Sequence, residues 1–234
     1  MNVFIVHAHP EPRSFNGALT NVAREVLEGA GHAVKVSDLY AMRFDPVSDR
    51  RNFTTIKDRD YFKQQVEEMH ATEVHGFAPD IAAEMQKLDW CAALIFQFPL
   101  WWFTVPAILK GWVDRVFAMG RVYGGGKWYD NGAFKGKRAM LSLTTGGPES
   151  IYSETGLNGY IHDILFPINH GILRFTGFDV LPPFIAWAPV RASDEQRCEY
   201  LEAYRHRLLT LWETAPIRYP SLDDYDQRFT LKKR

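Results

Sequence analysis

The 234-residue chain predicts an α/β fold, a doubly wound sheet of five parallel strands with helices on both faces. Two observations carry this. Short, almost wholly apolar runs such as NVFIVHA, AALIFQ and RAMLSL alternate with segments of helical period. Such runs are what strands buried on both faces look like. The apolar runs also end in loops rich in glycine, proline or rings, the usual place for ligands in an open parallel sheet.

Residues 2–8 read as the first strand, and 15–30 as an amphipathic helix with Leu19, Val22, Val26 and Leu27 on one face. Gly29 and Gly31 punctuate its end, and 33–36 completes a right-handed strand-helix-strand unit. From 40 to 78 the apolar spacing is broken by charges. A connection that long predicts a functional excursion near a ligand, holding a short helix over 58–71. Pro79 opens a helix over 79–89. The third strand is 92–97, the next helix 106–117, and the fourth strand 138–143, with the loop VYGGGKWYDNG between those last two. A helix over 159–175, a fifth strand over 179–184 and a last helix over 193–212 follow. Residues 1–214 are thus expected to form one domain, and 215–234 a tail too poor in apolar residues to pack alone, lying on the body or on a partner subunit.

Composition excludes several classes. A formal net charge of −1 gives no basic field for nucleic acid, and Lys232, Lys233 and Arg234 make too short a run to change that. No apolar run approaches a membrane span, so no membrane insertion is expected. Cys91 and Cys198 have neither a disulfide-framework nor a zinc-ligand spacing, and no leader pattern precedes the first strand, which points to the cytoplasm. G-x-G-x-x-G, the P-loop pattern and the nucleophile elbow G-x-S-x-G are all missing, against a Rossmann NAD domain, a P-loop NTPase and an α/β hydrolase. His7 and His9 share a strand face without further ligand-like pairs, and His70 and His75 are off helical register, so no metal is expected.

Three loops remain as a candidate site. Pro99, Trp101, Trp102 and Phe103 follow the third strand, where exposed rings are costly unless something flat and apolar covers them. They fit either a cofactor wall or a subunit interface. Thr144, Thr145, Gly146 and Gly147 end the fourth strand and can bring backbone N–H groups against a planar or anionic group. His9, Arg13, Ser14, Phe15 and Asn16 sit where a helix N-terminus attracts phosphate, although Ser14 serves equally as a plain helix cap and His9 as a turn residue.

HAHPEPRSFNGAL, FQFPLWWFTVPAILKGWVDRVF and LSLTTGGPESIYS, supported by SDLYAMRF and FPINHGILRFTGF, together resemble the FAD-containing NAD(P)H:quinone oxidoreductases. The likeness runs from about residue 2 to 212 and implies a flavodoxin-like fold and a homodimer with FAD sites at the subunit interface. It implies that His9, Ser14, Phe15, Asn16 and Gly17 hold the pyrophosphate and ribityl part, with Arg197 near the adenine. Pro99, Leu100, Trp102, Phe103, Thr144, Thr145, Gly146 and Gly147 would line the isoalloxazine, Trp101 standing at a variable position. Tyr152 with the Gly146 and Gly147 N–H groups would stabilise charge at flavin N1 and O2. The implied activity is two-electron, ping-pong reduction of quinones by NADH or NADPH, with hydride passing through flavin N5. The alternative is a regulatory or ligand-binding flavoprotein subunit of a larger system such as a transporter.

Several positions depart from the best-known pattern. Asn158 replaces a proton-relaying histidine, as in the branch that prefers dihydronicotinamide riboside, and an amide cannot titrate. Tyr123 keeps one substrate-facing aromatic, whereas Gly125 falls where a second is common, predicting a wider pocket. That branch's metal site is matched by His170 alone, its next ligand position being Arg174.

Overall fold

The computed structural model describes residues 1–232; Lys233 and Arg234 of the basic run lie outside the described residues. β1 (Asn2–His7), β2 (Ala33–Asp38), β3 (Ala93–Pro99), β4 (Arg138–Thr144), β5 (Asp179–Val180) and β6 (Phe184–Ala186) form one parallel sheet in the order β2-β1-β3-β4-β5, with β6 also pairing to β4. Among the described residues six α-helices surround it: α1 (Phe15–Gly29), α2 (Gln64–Val74), α3 (Pro79–Trp90), α4 (Ala107–Val116), α5 (Ile161–Ile168) and α6 (Asp194–Leu209).

The sheet separates two apolar cores. On one face α1 and α6 bury Leu19, Leu27, Tyr204 and Leu208 against Ile5, Ile95 and Met140. On the other, Ile81 of α3, Leu109 and Trp112 of α4 and Leu165 of α5 cover Phe4, Phe96 and Leu141. Strand order reverses between β1 and β3, so the chain leaves these neighbours on opposite faces and opens a crevice at their carboxyl ends. Register then aligns Pro99 with Thr144 and Thr144 with Ala186, which sets the site loops side by side.

Three expected elements differ. The strand expected over 179–184 is interrupted by Leu181-Pro182-Pro183: proline donates no ladder hydrogen bond, and pairing resumes only at Phe184. The helix expected over 58–71 begins at Gln64, because the Asp58 carboxylate accepts the N–H groups of Asp60 and Tyr61 and holds a competing turn. The helix expected over 159–175 is α5 followed by a π-helical stretch, Asn169–Arg174; Pro167, lacking an N–H, interrupts the regular ladder just before it.

The tail is tied to the body. Ile217 N–H donates to the Val180 carbonyl at 2.7 Å, Tyr219 packs edge-on to His170, and Leu222 N–H donates to Asp130 Oδ2 at 2.6 Å.

Candidate active site at the strand ends

α1 starts immediately beyond β1. Ser14 caps it by accepting the Gly17 N–H at 3.1 Å, leaving the N–H groups of Phe15 and Asn16 without partners among the described residues. Two free donors at the positive end of a 15-residue helix suit an anion. Gly17 plays another part: a Cβ there would lie 2.1 Å from the Pro12 carbonyl oxygen, so glycine lets the preceding loop fold against the helix. The Asn16 carboxamide points inward, accepting from Gln97 Nε2 and donating to Thr144 Oγ1, both at 2.9 Å.

After β3 the backbone reverses through Trp102 and Phe103, with reciprocal Trp101 and Thr104 N–H···O=C bonds of 3.2 and 3.1 Å. Both central residues have positive φ, 49° and 61°, the pattern of a type I′ turn that normally takes Asn-Gly. Large side chains there are strained, and Trp102 is 92% exposed. Trp101, by contrast, turns back to His9, their ring centroids 6.0 Å apart.

Thr144, at the end of β4, and Thr145, just beyond it, are committed to shaping the loop. Thr145 Oγ1 donates to the Gly147 carbonyl at 2.7 Å and accepts from Ala188 N–H at 3.3 Å, while its own N–H donates to Ala186. Gly146 and Gly147 N–H groups have no partners among the described residues. A Cβ on Gly146 would meet nothing, and one on Gly147 would strike Ile151 at 2.3 Å. Tyr152 is buried against Trp187, and Asn158 N–H donates to the Ile151 carbonyl at 2.8 Å.

These loops bound two adjoining clefts that share Leu100 and Gly146. The first, about 610 Å³, is lined by His9, Arg13, Ser14, Phe15, Asn16, Pro99, Trp101, Thr144, Thr145 and Arg197 among others. Arg197 is held there by the Ala192 carbonyl at 2.6 Å and by Asp194. The second, about 590 Å³, is lined by Trp102, Phe103, Gly147, Tyr152 and Asn158, together with Pro148, Ile151 and Arg191, which the sequence did not single out. Pro99, Thr144 and Thr145, expected beside a flat ring, thus line the first cleft together with the helix N-terminus, whereas Trp102, Phe103, Gly147, Tyr152 and Asn158 line the second. Tyr123 and Gly125 line neither cleft: Tyr123 packs near Phe175, and Gly125 stands free at φ 60°.

Burial, only partly offset by the Asp38 carboxylate, pushes the His7 imidazole below its ordinary value, and Thr20 Oγ1 meets its Nδ1 at 2.8 Å. No group of three or more His, Cys, Asp or Glu placed to hold a metal ion occurs among the described residues. At Arg174 the guanidinium pairs with Asp130.

Residues 1–208 match the family described as having a flavodoxin-like fold. The chain belongs to that family. Within the flavodoxin-like family it is 46% identical over 216 residues to the Homo sapiens ribosyldihydronicotinamide dehydrogenase [quinone], covering 92% of this chain and 94% of that protein. It is 42% identical to the Cavia porcellus NAD(P)H dehydrogenase [quinone] 1, covering 96% and 82%. A Klebsiella pneumoniae crystal structure with a provisional quinone-reductase name superposes with a TM-score of 0.96 at 44% identity, covering 99% of this chain and 94% of that one. Each of these likenesses covers more than nine-tenths of this chain, not one motif.

Proposed function

We propose that this protein is an FAD-dependent enzyme that reduces quinones by two electrons at the expense of NADH or NADPH. The observation that carries the reading is the continuity of the two clefts across Leu100 and Gly146, one offering free helix N–H groups, the other a flat apolar wall. That division fits a flavin dinucleotide, whose pyrophosphate lies between the isoalloxazine and the adenine: the ring system on the side of the second cleft, the pyrophosphate and adenosine on the side of the first. An open Gly146 face, where a Cβ would protrude into empty space, fits a planar ring lying against the backbone.

In this reading the Phe15 and Asn16 N–H groups bind the pyrophosphate, with His9 and Ser14 around it and Arg197 toward the adenine. Pro99, Leu100, Trp102, Phe103 and the 144–147 loop hold the isoalloxazine in one orientation. A bound FAD would supply the group that takes hydride from the nicotinamide donor and passes it to the quinone. The Gly146 and Gly147 N–H groups and the Tyr152 hydroxyl stabilise negative charge near its N1 and O2 edge. Apolar walls exclude water from the stacked planes, and the Asn158 carboxamide orients a carbonyl without moving a proton. That residue keeps dihydronicotinamide riboside open as a donor beside NADH and NADPH.

The pocket is proposed to close in a homodimer, because Tyr123 and Gly125 line neither cleft of their own chain, and Trp102 and Phe103 stand uncovered. Tyr123 of the partner subunit would then face the second cleft. Cytoplasmic residence is supported by Cys91 and Cys198, both free in the structure. No helix among the described residues is long and apolar enough to cross a membrane.

Purified protein tests this directly. It should be yellow, release FAD rather than FMN on denaturation, and sediment as a dimer. Colourless protein that takes up neither flavin would refute the reading.

A further inference from the structure

Glu68, on the excursion between β2 and β3, is only 3% exposed, an expensive place for a carboxylate. Its neighbour Glu67 accepts from the N–H groups of Lys57 and Asp58 and so secures its own side of α2. Glu68 faces the opposite way. Oε2 accepts the Met119 N–H at 2.6 Å and lies 3.5 Å from the Tyr123 hydroxyl, while Oε1 accepts from Gln64 Nε2 at 2.8 Å. The segment it grips closes on itself through Gly120 N–H to the Tyr123 carbonyl at 2.8 Å and Val122 N–H to Ala118 at 2.9 Å. Beyond Tyr123 come Gly124, Gly125 and Gly126, all at positive φ, which supply no side chain to hold the loop.

We propose that Glu68 is a positioning residue for the quinone pocket: by binding Met119 and Tyr123 it fixes the Tyr123 ring. This rests on the reading that Tyr123 faces substrate. Glu68 touches no substrate and acts only through the loop. The triple glycine makes such an anchor necessary, because the entropy of a free loop would otherwise have to be paid at each binding event.

Ionisation adds a pH dependence. Burial, aided by Asp114 on α4, raises the Glu68 carboxyl above its usual range, against the opposing hydrogen bonds from Met119, Gln64 and Tyr123. The carboxylate is a full acceptor above that raised value and loses acceptor capacity as pH falls through it, loosening Tyr123.

The test compares holoenzyme of the wild type, Glu68→Ala, Glu68→Gln and Tyr123→Phe. Glu68→Ala should raise KM for a quinone such as menadione about tenfold, the weight of one lost charge-assisted hydrogen bond, with FAD content and kcat nearly kept. Hydrogen exchange over residues 118–126 should accelerate with it. Glu68→Gln retains an acceptor for Met119, so its KM should stay near wild type at neutral pH and remain flat in acid, where the wild-type KM rises. Tyr123→Phe should shift KM modestly without loosening Met119. An unchanged quinone KM in Glu68→Ala, or a Glu68→Gln enzyme with the wild-type acid rise, overturns the proposal. If Glu68→Ala does not fold, the pH profile of Glu68→Gln decides. A wild type that holds flavin but reduces no quinone defeats the functional reading and this role with it, whereas failure confined to the variants defeats the role of Glu68 alone.

Discussion

Asn16 Nδ2 donates to Thr144 Oγ1 at 2.9 Å, joining the first turn of α1 to the end of β4 across 128 residues of sequence. The same carboxamide accepts from Gln97 on β3, so one side chain ties the start of α1 to β3 and β4 at the first cleft. The Asn16 side chain is thereby committed within the fold, and its backbone N–H is the group left free at the helix start.

Replacing it by alanine should leave two buried polar groups unpaired. Asn16→Ala is expected to cost about 2 kcal/mol and lower the Tm by roughly 6 °C, read by calorimetry of the apoprotein. Flavin affinity should fall as well, because the loops are no longer held in register. An unchanged Tm would show that the three-way tie is dispensable.

The Trp102-Phe103 turn should behave as a stability-for-function exchange. A W102N/F103G variant removes both bulky side chains from positive φ and should stabilise the apoprotein by about 1–2 kcal/mol in urea unfolding, while losing flavin retention or quinone turnover. Trp102→Ala alone should weaken flavin or substrate without the gain in stability. Equal stability of W102N/F103G and wild type would remove the case for strain.

His7 gives the fold an acid-side sensitivity of definite sign. Its folded-state pKa is depressed, chiefly by burial, below the ordinary 6.5. Between those two values the unfolded chain binds more protons than the folded one, so stability falls as pH drops from 6.5 through the depressed value and levels off beneath it. Urea unfolding between pH 7.5 and 5 should show this loss, and His7→Gln should reduce it. An identical pH slope in the variant would place the sensitivity elsewhere.

Much of the fold is legible in short stretches. AALIFQ and RAMLSL are almost wholly apolar because both faces of β3 and β4 are buried, and no local alternative competes. Legibility fails where a local interaction wins: the Asp58 turn displaces the start of α2, and Leu181-Pro182-Pro183 splits the last strand. The site shows the same division. Ser14, Trp102 and Gly146 announce themselves through residue types that are costly or special where they stand. The inward commitment of Asn16 and both threonines does not, since it depends on strands paired at long range. Glu68 is the clearest omission: a glutamate in QQVEEMHATEV reads as a solvated helix face, and its burial depends on Met119, 51 residues later. Arg191 offered no local signal either.

The most direct measurement is anaerobic stopped-flow absorbance of the purified holoprotein mixed with NADH, NADPH or dihydronicotinamide riboside, followed by a second mix with a quinone. Bleaching of the flavin band by at least one donor, and its full return on adding one equivalent of quinone, is the expected result. A bound flavin that none of the three donors bleaches, or a bleached one that quinone leaves unchanged, would contradict the assignment.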